Sequence, residues 1–280
     1  MRDFEAAVDG LRRDLGVSRV FLRLKTPGAV FPVVTESVAE GIPRVGSERD
    51  PDFSQAPTFL FISGELRPLV QDDVTATDTP PPADIVTYYG IAAQILVPVT
   101  VSGAFVGIVG IHQAGGPRAW TDEEIEDADT FGRWVGWELE LEQLRERIGV
   151  SRTTVRLDVG GDPYFPIIAE AVGEGVNELR AAAGPDLRKA KTMQYLLEHR
   201  TTLVQEDLLA TDTPPPPELI AQYGARSQIL ACISAGDRLV GFVSAHHAEV
   251  RTYTAAEIAA VEAAASAIGA ALGSREPGGR

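Results

Sequence analysis

The chain contains one series of motifs twice, in the same order and about 133 residues apart. GVSRVFLRL begins at Gly16 and GVSRTTVRL at Gly149, while LVQDDVTATDTPPP begins at Leu69 and LVQEDLLATDTPPP at Leu203. A period of this length is a whole domain, because the repeats of solenoids and propellers are far shorter. The duplication therefore restricts the chain to two copies of one fold.

The apolar pattern within one copy predicts an α+β domain. Alternating or continuous apolar runs predict strands, and apolar residues at helical spacing predict helices. Ser102-Gly103 between two such runs is typical of a β-hairpin. We expect each copy to form an antiparallel sheet with helices on one side of it. The predicted strands are Ser18–Leu24, Val30–Val38, Arg67–Gln71, Gln94–Val101 and Ala104–His112, and the predicted helices are Phe4–Leu15, Thr58–Ser63 (alternatively a buried turn) and Ala83–Tyr89.

A single long helix is predicted to close the first copy and open the second. Thr121 and Glu124 form a capping box, and the helical pattern then continues without a strong breaker to Gly149. The end of this segment, ELEQLRERIGVSR, aligns with AAVDGLRRDLGVSR at the start of the chain. We therefore expect a shared helix at Asp122–Ile148. The predicted domains are 1–148 and 149–273, followed by a flexible tail at 274–280.

Composition narrows the range of partners. Lys and Arg number 25 against 40 Asp and Glu, a formal net charge of −15 that repels nucleic-acid phosphates. No apolar run is expected to reach the roughly 18 residues of a membrane span, and the N-terminus lacks the apolar core of a signal peptide. The single cysteine, Cys232, excludes an internal disulfide and a Cys-rich zinc site. We expect a cytoplasmic protein without a nucleic-acid or membrane partner.

The later part of the first copy resembles GAF domains, and most closely the bilin-binding GAF domains of phytochromes and cyanobacteriochromes. The second copy shares this narrower resemblance only in part, since Arg251-Thr252-Tyr253 replaces the Arg-x-Trp motif. The residues that carry the resemblance are the strands Ile95–Val99 and Phe105–Gln113, the turn Pro117–Trp120 and the following Glu124-Ile125. The resemblance to GAF domains in general covers both copies and implies a tandem GAF protein.

The chain departs from the bilin-binding pattern at the attachment site. Bilin attachment in that family needs a cysteine just before the strand pair, and the corresponding positions here are Pro81-Pro82 and Pro215-Pro216. Proline has no nucleophile, and a thioether requires a thiolate. We therefore expect no covalent bilin.

Polar residues that recur in both copies are the candidate ligand-binding residues. Imidazole donates and accepts hydrogen bonds near neutral pH, and paired carboxylates can bind a cation or exchange protons. Structural alternatives are a strand-end histidine bonded to backbone, Asx turns for the aspartates, and core packing for tyrosine and glutamine. The candidates are His112 and His246, Asp73 and Asp207, Asp78 and Asp212, Tyr89 and Tyr223, and Gln94 and Gln228.

Three further features bear on the site. Arg23 and Arg156 could meet an acidic ligand, although an exposed strand arginine is the commoner arrangement. One histidine per copy with nearby carboxylates such as Asp72 or Glu36 gives too few metal ligands, so we predict no metal site and no catalytic residue. The conserved TDTPPP segment predicts a rigid lid over a pocket.

These patterns favour a small-molecule sensor or regulatory protein without an output domain of its own. It would act through ligand-dependent contacts, either in a homodimer formed by the helices Asp122–Ile148 and Ala255–Leu272 or with a separate output protein. One alternative is a GAF-fold enzyme or biosynthetic accessory protein that uses the pocket histidines and carboxylates. Another is a noncovalent binder of a tetrapyrrole, either heme or bilin. The sequence identifies no cofactor.

Overall fold

The duplication in the sequence is a duplication of structure. The computed structural model describes residues 4–26, 31–46, 53–162, 164–180 and 184–273, so the predicted tail at 274–280 lies outside the described residues. The chain divides between Gly136 and Trp137 into two compact units. This division falls inside the helix that we predicted to be shared, ahead of the predicted boundary after residue 148.

The first unit is built on a five-stranded antiparallel sheet with strand order β2-β1-β5-β4-β3. The predicted strand at 30–38 begins at Val33 in the structure, and Val30 lies outside the described residues. The elements are α1 (Glu5–Asp14), β1 (Arg19–Leu24), β2 (Val33–Val38), α2 (Pro57–Glu65), β3 (Leu69–Gln71), α3 (Ala83–Tyr89), β4 (Ile91–Val101), β5 (Ala104–Ala114) and α4 (Asp122–Ile148).

The second unit repeats this arrangement with strand order β7-β6-β10-β9-β8. Both sheets are antiparallel throughout, which confirms the predicted α+β class. The elements are β6 (Arg152–Leu157), β7 (Ile167–Val172), a short 3₁₀ turn (Leu187–Lys189), α5 (Lys191–His199), β8 (Leu203–Gln205), α6 (Pro217–Tyr223), β9 (Ser227–Ala235), β10 (Arg238–His247) and α7 (Ala255–Gly273).

The prediction of helices on one side of each sheet is wrong, because helices cover both faces. In β4, Leu96 packs with Ile62 of α2 on one face. The next residue, Val97, lies against α4 on the other face, where a Cβ built on Gly132 would come within 2.4 Å of its Cγ1 atom. The second unit repeats this packing, with Gly269 of α7 against Ser234 O. Nearly every residue of the central strands is apolar, so both faces need cover.

The turn before α4 joins the two ends of the first unit. Arg118 donates a hydrogen bond to Leu15 O, just after α1, at 2.8 Å and forms an ion pair with Glu124 in the first turn of α4. In the second unit, Arg251 donates to Ile148 O at 2.7 Å and pairs with Glu257. In each unit the arginine of this turn therefore connects the end of the unit's first helix to the first turn of its last helix.

One helix of the described chain, α7, is long and apolar enough to cross a membrane by length and composition, with a mean hydropathy of 1.5. This differs from our expectation that no such run exists. In the structure its residues Val261, Ala264, Ala265 and Ile268 are buried, and the helix packs against β9 and β10, while only 28% of the apolar segment is buried.

Candidate functional site

A row of polar side chains crosses each sheet on one face. In the first unit Arg19, His112, Gln94 and Gln71 are successive cross-strand neighbours on β1, β5, β4 and β3. Directly paired residues point to the same face of a sheet. The row in the second unit consists of Arg152, His246, Gln228 and Gln205. All eight side chains are buried.

A cavity lies over each row, between the sheet and the two short helices on that face. The free space between its lining side chains, open solvent included, is about 600 Å³ in the first unit and about 490 Å³ in the second. A mainly apolar concave lining with a few polar groups is typical of small-molecule sites. The two linings use equivalent positions, including Arg23 and Arg156, Pro81 and Pro215, Tyr89 and Tyr223, Gln94 and Gln228, and His112 and His246.

The first arginine of each row was missed by the sequence analysis. Arg19 is 1% exposed and donates to His112 Nδ1 at 3.1 Å, to the carbonyl of Pro43, and to Tyr89 O at 3.4 Å. Its equivalent, Arg152, forms a buried ion pair with Glu170. The sequence spacing could have indicated these residues. Arg19 lies four residues before Arg23, and Arg152 four before Arg156, and an even spacing on a strand places both side chains on the same face.

The positions of Arg23 and Arg156 correct our expectation of an exposed strand arginine. Arg23 and Arg156 are both buried. Arg23 donates to Phe31 O at 2.9 Å and lies over the rings of Phe53 and Phe21, with its Cζ atom 4.8 and 5.7 Å from their centroids. Aromatic faces stabilise a buried guanidinium, so this cation can be kept inside an apolar wall.

Both row histidines are neutral at physiological pH. Burial, reinforced by Arg19 and Arg23, lowers the pKa of His112 well below its usual value. Burial and the equivalent arginines lower the pKa of His246 to about 3. A neutral His112 can accept the hydrogen bond from Arg19 at Nδ1, which a protonated imidazole cannot do.

The TDTPPP segment is bonded to the polar row. Gln94 Nε2 donates to Gln71 Oε1 at 2.6 Å, and Gln71 Nε2 donates to Thr77 Oγ1 at 2.9 Å and Thr79 O at 2.7 Å. The second unit repeats the network through its own paired glutamines at 2.6, 2.9 and 2.7 Å. The prolines that follow line the cavities, so the segment forms a wall of each. These bonds give a structural reason for the near identity of the segment in both copies.

The four candidate aspartates lie outside the cavity linings. Asp73 Oδ1 accepts hydrogen bonds from the backbone N–H and the hydroxyl of Thr75, at 2.9 and 2.7 Å. Asp207 accepts from the backbone N–H of Leu209 at 3.0 Å and pairs with Arg226. These bonds confirm the Asx-turn alternative for both residues. Asp78 and Asp212 are exposed, and neither lines a described cavity.

The candidate tyrosines occupy equivalent positions with different contacts. Tyr89 Oη donates to Val45 O at 3.3 Å. Tyr223 Oη instead accepts from Arg156 Nε at 3.2 Å, and its ring lies over His246 with centroids 4.5 Å apart.

The side chains that line the two described cavities are suited to binding a small molecule. Each cavity has a polar end of arginine, neutral histidine and glutamine amide, and its remaining wall is apolar or aromatic apart from one threonine, Thr58 or Thr192. Among the described residues, no three His, Cys, Asp or Glu side chains are grouped as metal ligands. Cys232 is half-buried on β9, and burial raises the pKa of its thiol. The described part of the chain does not place a carboxylate beside either row histidine within a cavity, as the enzyme alternative requires.

Comparison with known proteins identifies the family of both domains. A family model for the GAF domain matches residues 3–139 and again residues 138–272. A putative methyl-accepting chemotaxis protein from Synechocystis is 30% identical over 146 residues, which are 50% of this chain and only 14% of that protein.

Two of the similar solved structures are GAF domains of cyanobacterial proteins. The blue-light absorbing form of the Thermosynechococcus elongatus PixJ GAF domain is 26% identical, covers 52% of this chain and 88% of its own, and has a TM-score of 0.45. The photoproduct state of GAF3 from Slr1393 of Synechocystis is 24% identical, covers 51% and 94%, and has a TM-score of 0.45. The two family matches together span nearly the whole chain, and the protein therefore belongs to the GAF domain family and carries two GAF domains in tandem.

Proposed function

We propose that this protein is a sensory GAF protein whose first GAF domain binds a small organic anion with an aromatic or other apolar body, without a covalent bond. The observation that carries the proposal is the placement of Arg23 and His112 in a cavity whose other lining side chains, apart from Gln94 and Thr58, are aromatic or aliphatic. A guanidinium in an apolar wall favours an anionic partner, because a charge-assisted hydrogen bond is strong where water is excluded. Phe21, Phe53 and Phe59 supply the flat surface for the ligand body.

The noncovalent mode follows from the chemistry of the cavity wall. Pro81 and Pro82 line the cavity at the position where the resemblance would place an attaching cysteine. Cys232 is the single cysteine of the chain and lies in the second domain, on β9. Affinity therefore comes from burial of the ligand body and from the polar end.

The sheet of the first domain lies between the cavity and α4, so it can transmit a change caused by the ligand. Alternate residues of β4 face the cavity and α4, as Leu96 and Val97 do. Gly132 and Gly136 let α4 lie against this strand, since a Cβ on Gly136 would come within 2.3 Å of Thr100 O. We expect a ligand that moves β4 to move α4, and the resulting change in a homodimer or in contacts with a separate output protein would be the output. Similarity to a putative chemotaxis protein supports the sensory part.

Two matched fluorescent probes test binding. 1-Anilinonaphthalene-8-sulfonate is an aromatic anion, and N-phenyl-1-naphthylamine is the same ring system without the charge. We expect saturable binding of the anion that weakens at least about tenfold in Arg23→Gln, since a charged hydrogen bond contributes about 1.5–3 kcal/mol. The uncharged probe should be affected much less. Arg67→Gln, which removes an equal charge outside the cavity, is the control.

Absence of saturable binding by either probe would overturn the proposal. Equal weakening of both probes in Arg23→Gln would overturn the role of the guanidinium. Sensing is tested by hydrogen–deuterium exchange with and without the anionic probe. Exchange in residues 122–148 should change on binding, and sedimentation velocity should show a shift in association state or in capture of a partner. Binding without any change in α4 would contradict a sensory role.

A further inference from the structure

The apolar walls of the two cavities differ at equivalent positions of the repeat. Among the described residues, three phenylalanines line the first cavity, namely Phe21 on β1, Phe53 before α2 and Phe59 in α2. The alignment of the two copies places Thr154, Leu187 and Met193 at these positions of the second domain. The second domain therefore has no aromatic ring at any of the three positions.

The phenylalanines of the first cavity are oriented by their neighbours. Phe59 meets Phe53 and Phe105 edge to face, with ring centroids 5.5 and 5.7 Å apart and interplanar angles of 64° and 81°. Phe21 lies over Gly110, where an added Cβ would overlap its ring. Rings packed in this way offer preformed flat surfaces, which suit a planar aromatic body.

The second cavity is lined mainly by aliphatic side chains. Leu187 comes from the 3₁₀ turn, Met193 and Leu196 from α5, Leu219 from α6 and Leu230 from β9. Methionine has three rotatable side-chain bonds and a polarizable sulfur, so it adapts to the shape of its neighbours. Such a wall has few flat surfaces for a ring, but it can close around a chain that bends.

Two aromatic residues of the described chain line the second cavity at other places. Tyr223 stacks on His246 at the polar end, with centroids 4.5 Å apart. Phe242 lies on β10 and packs against Phe165 at a centroid distance of 6.3 Å. Neither comes from the 3₁₀ turn or α5, so the described lining that these two elements supply is aliphatic apart from Thr192.

The polar ends do not account for this difference. Each of them contains an arginine, a histidine and a glutamine at equivalent positions. A neutral imidazole can donate a hydrogen bond to a hydroxyl group or accept one from it. The shape and flexibility of the ligand body should therefore distinguish the two cavities for ligands with the same polar group.

We propose that the second GAF domain binds a small molecule with a flexible aliphatic chain, and that Leu187 and Met193 set this preference. The anionic ligand proposed above belongs to the first domain, so this second site is additional to it. The protein then detects two ligands of different shape, one in each domain.

Two alcohols with the same number of carbon atoms test the preference. 1-Decanol is a flexible chain and 2-naphthol is planar, and both are uncharged at neutral pH and carry a single hydroxyl group. In hydrogen–deuterium exchange of the full-length protein, 1-decanol should slow exchange in residues 227–247, the central hairpin of the second domain. 2-Naphthol should slow exchange in this hairpin much less.

The length of the alcohol chain provides a second measurement. In isothermal titration of the full-length protein, each CH₂ group removed from 1-decanol should weaken binding about fourfold, because every buried CH₂ group contributes a similar free energy. A polar group that bound alone at the surface would give affinities that do not depend on chain length.

Two matched substitutions exchange the residues at one equivalent position. Met193→Phe gives the second cavity the residue of the first, and it should weaken 1-decanol binding at least about tenfold, because the ring takes up space that the chain needs. Phe59→Met makes the reverse change in the first domain and is the control. It should change the affinity of the second site for 1-decanol less than about twofold.

The possible results separate this proposal from the function proposed for the first domain. Absence of saturable 1-decanol binding would overturn the second site, whereas the anionic probe and Arg23→Gln test the first domain independently. Equal slowing of exchange in residues 227–247 by both alcohols would overturn the preference for a chain. Unchanged affinity in a folded Met193→Phe variant would overturn the role of Met193, and if that variant does not fold, the comparison of the two alcohols on the wild type decides.

Discussion

Mild acid is expected to destabilise the protein through its two buried histidines. Unfolded histidine binds a proton near pH 6.5, whereas His246 in the folded state does so only at about pH 3, and the pKa of His112 is also well below 6.5. Between these values the unfolded state holds more protons than the folded state. The free energy of unfolding therefore falls as the pH is lowered through this window.

The magnitude follows from proton linkage. A histidine that stays neutral in the folded state lowers the free energy of unfolding by about 1.4 kcal/mol for each pH unit below 6.5. Between about pH 8 and about pH 5 each such histidine therefore costs about 2 kcal/mol, a large share of the stability of an ordinary domain. The carboxylates with lowered pKa, such as Asp73 and Glu257, add their loss of stability at lower pH.

Urea unfolding at a series of pH values measures this effect. His112→Gln and His246→Gln keep a hydrogen-bonding side chain but cannot titrate. Two of the three tryptophans, Trp120 and Trp134, lie in the first domain, so fluorescence follows that domain, while circular dichroism follows both. Each variant should reduce the pH slope by about 1.4 kcal/mol per unit.

If wild type and both variants lose stability with the same slope between about pH 6.5 and about pH 5, the row histidines do not remain neutral and buried, and the Arg19 bond to His112 Nδ1 loses its basis.

Three further substitutions test the packing around the first cavity by the same urea assay. Gln71→Leu removes the side-chain hydrogen bonds to Gln94, Thr77 and Thr79, so unfolding should become easier by about 2–4 kcal/mol, and an unchanged midpoint would contradict the role of the row in holding the TDTPPP segment. Gly110→Ala should cost about 1–3 kcal/mol, because its Cβ would overlap the ring of Phe21, and a neutral effect would mean that this ring is free to move. Arg118→Ala should cost about 1–3 kcal/mol through the lost bond to Leu15 O and its ion pair, and faster amide exchange at the end of α1 should accompany it.

The sequence predicts the architecture better than the site. Repetition and periodicity are local signals, and they identify the hairpin β4–β5 and the helix Asp122–Ile148 with its capping box. Our prediction placed helices on one side only, although the nearly continuous apolar residues of β4 and β5 already indicate a sheet that is covered on both faces.

Site residues escaped prediction where tertiary contacts override residue type. A strand arginine is usually exposed, but Arg23 is buried because a backbone carbonyl and two rings around it replace water. Asp73 accepts hydrogen bonds from Thr75 in its own turn, so its recurrence in both copies has a structural reason that the sequence pattern does not distinguish from ligand binding. The different roles of Tyr89 and Tyr223 depend on rotamers, which identical letters in two copies cannot reveal.

The junction between the first helix and the first strand is equivalent in the two domains, and this has a consequence for protein engineering. Val8, Leu11 and Leu15 of the first copy are buried at the positions that Leu141, Leu144 and Ile148 hold at the end of α4. Arg118 donates a hydrogen bond to Leu15 O at the end of α1, and Arg251 donates one to Ile148 O at the end of α4. The junction before Gly16 and that before Gly149 are thus interchangeable splice points. Excision of residues 16–148 would fuse α1 to β6 with matching apolar contacts. Insertion of another copy of residues 16–148 at the same place would add one more GAF domain to the chain.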